Sequence, residues 1–188
     1  GEKRYKEAFK LFLHQKTNLG LKGTNNESIY SASISKKINI GLPKKINIPR
    51  LGLEAKILEV GIDKSGTMET SNYKDVGWFK LGVRQGEIGS AVVTGHLDTA
   101  VTANGIFRRL SEVAVGDDIY GTDSENNKLH FRVVSSRVYD AKNAPMEEIF
   151  GASKIARLNL ITCDGVWDKQ AMSYDKRLVV FTEFVAGI

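Results

Sequence analysis

Cys163 is the only cysteine in this 188-residue chain, and it closes the short apolar run Leu160-Ile161-Thr162. Arg177 follows fourteen residues later, at the head of Leu178-Val179-Val180-Phe181. His96 stands sixty-seven residues before the cysteine, just past Ala91-Val92-Val93-Thr94. A thiol, an imidazole and a guanidinium therefore each sit at the edge of an apolar run. A lone cysteine and a distant histidine become a nucleophile and its proton carrier when the fold brings them together. Taken alone, the same cysteine is equally a small buried hydrophobe.

The chemistry open to such a trio is acyl transfer. The thiol attacks a peptide carbonyl and forms a thioacyl intermediate. The imidazole gives a proton to the leaving amine and later takes one from the incoming amine. The guanidinium, a planar fork charged at any working pH, offers donors to the oxyanion. Arg177 by itself reads more simply as a surface salt bridge at a strand end. His96 is the best placed of the three histidines: His14 lies close to the N-terminus, and His130 alternates with Leu129 and Phe131, so it should face away from the core. Asp98, two residues from His96, reads as structural, bonding nearby loop amides together with Thr99. Asp164, adjacent to the thiol, is expected to raise its pKa by like charge.

The elements that must position these groups are strands. Strands are expected over 45–51, 53–60, 90–94, 118–122, 129–134, 157–162 and 177–185, the first at a sheet edge because of Pro49. Short helices are expected over 106–112 and 145–150. The fold class is therefore mainly β: a closed or nearly closed barrel of about eight strands with few helices. Residues 1–45 read as a separate N-terminal appendage. Tyr5, Ala8, Phe9, Phe12 and Leu13 recur at helical spacing, which predicts a helix over 2–15, followed by a polar linker over 18–35. Residues 46–188 form the body.

Three blocks, Thr94-Gly95-His96-Leu97-Asp98-Thr99, Leu160-Ile161-Thr162-Cys163 and Lys176-Arg177-Leu178-Val179-Val180, together resemble the signature blocks of sortases. Those are membrane-anchored cysteine transpeptidases of Gram-positive bacteria. The resemblance runs from about Ile46 to Phe184. Gly77-Trp78-Phe79 and the Phe107-Arg108 pair look most like class F sortases, whereas the surroundings of Arg177 look more like sortase A. The resemblance implies that His96, Cys163 and Arg177 are catalytic. It implies a Leu-Pro-X-Thr-Gly-type sorting signal as substrate, cut between Thr and Gly and joined to the amine of a cell-wall precursor. Thr162 is expected to help orient that peptide. Ala144, Pro145, Met146 and Ile149, in the loop before the cysteine strand, are apolar enough to receive Leu-Pro. Some sortases are calcium-activated, and Glu112, Asp117, Asp118, Glu147 and Glu148 could offer oxygen ligands. Solvated carboxylates are the simpler reading, so no metal or other cofactor is expected. Two rivals are another peptidoglycan-acting cysteine transpeptidase or hydrolase, and a non-catalytic β-barrel binding module. L,D-transpeptidases carry Ser-His-Gly-x-Cys, which is absent here.

Composition agrees with a soluble globular body: 41% hydrophobic, 26% charged, and no apolar run long enough to span a membrane. The charge is uneven. Residues 1–45 hold ten Lys/Arg and three Asp/Glu, a net +7, while 46–188 sum to −2. A near-neutral body argues against nucleic acid as partner. A basic segment with apolar residues at helical spacing suits an anionic membrane surface. The chain starts with Gly1, and the expected location is extracytoplasmic, on a membrane anchor upstream of that residue.

Overall fold

The structure, a computed structural model, describes residues 39–187 apart from 65, 67, 100, 101 and 103. The predicted helix over 2–15 and the linker over 18–35 lie outside the described residues.

Eight strands form one closed barrel: β1 (Pro43–Ile48), β2 (Leu53–Val60), β3 (Val76–Phe79), β4 (Gly89–Thr94), β5 (Asp118–Asp123), β6 (Lys128–Asp140), β7 (Ala156–Asp168) and β8 (Ser173–Gly187). Their order around the barrel is β1-β2-β3-β4-β7-β8-β6-β5, and β5 pairs back onto β1. β2–β3 and β4–β7 are parallel; the other pairs are antiparallel. Closure gives every strand two partners and leaves no edge for another chain to extend.

That closure corrects the edge expectation for the first strand. β1 is paired on both sides, and Pro49 lies just beyond it, at the start of a 3₁₀ turn over Pro49–Leu51. Proline fits there because the N–H of the first residue in such a turn has no partner within it, so its loss costs nothing.

Alternation decides which side chains fill the barrel. Ile46, Ile48, Ala91, Val93, Leu158, Leu160, Leu178 and Val180 point inward with Phe107, Leu129 and Phe131. The intervening residues Val92, Ile161, Val179 and Phe181 point outward and meet Phe79 and Ile149 in a second cluster. Ile149 belongs to α1 (Met146–Phe150), which covers this outer face. Burial in β4, β7 and β8 runs on continuously and does not alternate, because both of their faces are covered.

The helix expected over 106–112 is a series of tight turns ending in a 3₁₀ turn at Leu110–Glu112. Its amides reach back three residues: Leu110 N–H donates to Phe107 O and Glu112 N–H to Arg109 O. Residues i and i+3 eclipse in that geometry, so Phe107 and Leu110 both point into the barrel, each fully buried.

Candidate active site

The register of three adjacent strands assembles the site. Cys163 on β7 lies directly opposite Arg177 on β8. On the other flank of β7, Thr94 of β4 lies beside Ile161. His96 follows two residues after the end of that pair, on the loop that leaves β4. Cys163 and Arg177 share the parity of the outward-facing Ile161 and Val179, and the loop leaving β4 is tied to β7 at Gly95, so the three residues lie in a row across that loop, β7 and β8.

Backbone contacts hold the row in place. Gly95 N–H donates to Ile161 O at 3.1 Å, and the Thr162 hydroxyl donates to Gly95 O at 2.9 Å. His96 O accepts from Phe107 N–H at 2.8 Å. A side chain at Gly105 would run into that same His96 carbonyl, so the loop can pass only with glycine there. Thr162 is buried and its hydroxyl is taken up by Gly95. It fastens β7 to the residue before His96, a tie that the sequence does not announce.

His96 Nε2 lies 2.9 Å from Ser71 O, which fixes the proton on Nε2, because a carbonyl can only accept. Nδ1 is thereby the basic nitrogen of the neutral ring. The Tyr73 ring sits 4.7 Å from the imidazole. Ser71 and Tyr73 are presented by a turn in which Asn72 Oδ1 accepts the amides of Lys74 and Asp75.

Arg177 is held by its own hairpin. Nη1 donates to Tyr174 O and Lys176 O at 2.8 and 2.7 Å, and Nη2 to Ser173 Oγ at 2.9 Å. Two of its five N–H groups, on Nε and Nη2, find no partner among the described residues. They form the side-on fork that suits an oxyanion.

Burial pushes the Cys163 thiol above its ordinary pKa, the Arg177 charge pulls it down, and the Asp98 carboxylate adds to the rise. The acidic neighbour that counts is thus Asp98, not Asp164. Asp98 in turn receives the Tyr174 hydroxyl in a very short hydrogen bond, where loop amides were expected. That hydrogen bond, with burial and the Asp98 charge adding to it, holds the Tyr174 phenol above the ordinary range.

The expected peptide pocket divides. Ala144 packs beside the outer cluster, and Pro145 and Met146 are half-buried. Ile149 is 2% exposed, so it seats α1 on the sheet and does not line an open pocket. A separate cleft of about 470 Å³, lined by Leu42, Glu59, Trp78 and Arg84 among others, contains none of the predicted site residues.

His130 faces outward, as its alternation predicts, and binds Asp118 at 2.7 Å. Arg132 shares that carboxylate and holds it, with His130, below the usual carboxylate range. Glu112 pairs with Arg109 and Glu148 with Arg137, so these carboxylates face cations. Among the described residues, no three His, Cys, Asp or Glu side chains gather into a metal site.

A sortase-domain family model matches residues 46–185, so the chain belongs to the sortase family, whose members are cysteine transpeptidases. Solved structures with the same fold include Listeria monocytogenes sortase A, 20% identical over 78% of this chain and 89% of that one, with a TM-score of 0.59. Streptococcus agalactiae sortase C1, in complex with MTSET, is 21% identical over 76% of this chain and 67% of that one, also at 0.59. Streptococcus pneumoniae sortase C-1 is 18% identical over 77% and 67%, at 0.60. No curated protein matches the chain. Sortases act outside the cytoplasm; among the described residues no helix is long and apolar enough to cross a membrane.

Proposed function

We propose that this chain cleaves a Leu-Pro-X-Thr-Gly-type sorting signal between Thr and Gly and transfers the new acyl end to an amine, anchoring proteins to the cell wall. The observation that carries the reading is Cys163 and Arg177 facing each other on β7 and β8, with His96 on the loop that leaves the neighbouring strand β4. The Cys163 proton passes to His96, and the resulting thiolate Sγ attacks the Thr carbonyl carbon. The bond to the Gly nitrogen breaks, and that amine leaves with a proton from the His96 imidazolium. An incoming amine then attacks the thioacyl carbon, gives its proton to His96 and releases the thiolate. The free fork of Arg177 bears the oxyanion in both halves of the reaction.

An extended peptide fits along the outer face of β7 and β8, with Ala144, Pro145 and Met146 walling the Leu-Pro end. Residues 1–45, net +7, are the segment that meets an anionic membrane beside the anchor. The acceptor is an amine of a cell-wall precursor.

The test is a fluorogenic sorting-signal peptide with an added amine. Cys163→Ala should abolish both cleavage and transfer while keeping the wild-type circular dichroism spectrum. A folded Cys163→Ala protein that retains more than a few per cent of turnover would remove the thiol from the mechanism.

A further inference from the structure

Tyr174 is bound to both charged neighbours of the thiol. Its backbone carbonyl accepts from Arg177 Nη1 at 2.8 Å. Its hydroxyl donates to Asp98, seventy-six residues away on the loop that carries His96. Its ring packs edge-on against Trp167, 5.4 Å between centroids, across the β7–β8 hairpin. One residue thus ties the β8 side of the row to the His96 side, bridging over Cys163 on β7. We propose that Tyr174 is a positioning residue for this reaction: by holding Asp98 through its hydroxyl it limits the negative charge that reaches Cys163, and by its carbonyl it keeps Arg177 beside the thiol. The proposal rests on the functional reading above.

The charged and titratable groups facing this point come from three elements. Arg177 and Tyr174 come from β8, and His96 and Asp98 from the loop after β4. Arg108, from the turns that follow that loop, contributes positive charge toward Tyr174. Asp98 is the carboxylate among them that disfavours the thiolate. A hydroxyl donated to a carboxylate spreads its charge and orients it; a phenylalanine ring keeps the packing against Trp167 and removes only that donor. The sign follows. Without the hydroxyl, Asp98 acts on Cys163 at full strength, so the thiol loses its proton at higher pH. With asparagine at 98 the charge is gone, so the thiol loses its proton at lower pH. In that background the Tyr174 hydroxyl has no charge left to restrain.

The experiment measures the rate of Cys163 alkylation by iodoacetamide against pH in the full chain. It compares wild type, Tyr174→Phe, Asp98→Asn and the double variant, with peptide turnover recorded alongside. Tyr174→Phe should raise the midpoint by a resolvable fraction of a pH unit. Asp98→Asn should lower it, and adding Tyr174→Phe to Asp98→Asn should move it no further. A Tyr174→Phe curve that overlays a normal wild-type titration overturns the proposal and leaves the functional reading intact. An equal shift in the presence and absence of the Asp98 charge also overturns it, since the tyrosine then acts through packing alone. A wild-type Cys163 that resists alkylation at every pH overturns the functional reading and this proposal with it.

Discussion

Arg177 sits opposite Cys163 with two N–H groups that find no partner among the described residues, and this makes the arginine's shape matter as much as its charge. Arg177→Lys keeps the charge and loses the fork. It should cost on the order of 10²-fold in kcat/KM for a sorting-signal peptide, the size of one lost oxyanion donor. His96→Ala should cost at least as much, because no other histidine lies in the row. An Arg177→Lys enzyme within twofold of wild type would make the arginine merely structural. The pH behaviour follows from the same contacts. Burial holds the thiol above the ordinary cysteine range and the Arg177 charge opposes that rise. Arg177→Gln should therefore move the alkylation midpoint of Cys163 further up, and a downward move would contradict the electrostatic account. The three residues of the row are legible in the sequence because a single thiol, a well-placed imidazole and a guanidinium each end an apolar run. Their partners are not. Tyr174, Ser71 and Tyr73 carry no local pattern, and they meet Asp98 and His96 only through a closed barrel. Asp164 is adjacent to the thiol in sequence, yet Asp98 is the carboxylate that acts on it, because β4 and β7 run side by side.

At the scale of elements, α1 is a lid on the sheet fixed by one buried side chain and a few exposed ones. Ile149 seats it, and the Asn159 amide donates to Ile149 O at 2.7 Å. Ile149→Ala should destabilise the protein by about 2–5 kcal/mol, as for other buried aliphatic truncations, and raise KM for the peptide by loosening the groove wall. Chemical denaturation and steady-state kinetics check the two effects. Glu148→Ala removes the exposed Arg137 pair and a long contact from the Tyr139 hydroxyl, and should leave the unfolding midpoint essentially unchanged. The strands were readable from periodicity where one face is buried, as in Leu129, Phe131 and Val133. They were shortened where the pattern turned polar: β6, β7 and β8 all run past their apolar stretches, held by mutual pairing. β3 has only four residues and pairs in parallel with β2 through a crossover, so no local turn announces it. The stretch 106–112 was misread as helix because apolar residues three apart fit a 3₁₀ turn as well as an α-helix.

On the whole molecule, the barrel separates its entry from its chemistry. The chain enters β1 beside the β5–β6 turn, where Gly41 N–H donates to Asp123 and Leu42 N–H to Ser124. The last described residue, Gly187, pairs with Leu129 at that same end. Arg177 lies ten residues along β8, at the opposite end, about 33 Å away at the usual rise per residue. A membrane-facing role for residues 1–45 and peptide chemistry at Cys163 are thus physically separable. Ile40 packs against the core and its carbonyl accepts from Arg84, so a clean truncation stops before Asn39. Deleting residues 1–38 should leave cleavage of a soluble peptide unchanged. It should weaken binding to anionic vesicles, most clearly at low salt. Accelerated cleavage with unchanged vesicle binding would instead mark the segment as a cover over the groove.

The central claim is that Cys163 carries the acyl group of a sorting signal. Intact-protein mass spectrometry, after mixing the chain with a set of Leu-Pro-X-Thr-Gly-type peptides without added amine, tests it most directly. The account predicts a mass gain equal to the peptide portion ending in Thr, located on Cys163 and discharged when an amine is added. Cys163→Ala should show no such gain. A folded wild-type protein that forms no adduct with any peptide of the set, or an equal adduct on the Cys163→Ala protein, would contradict it.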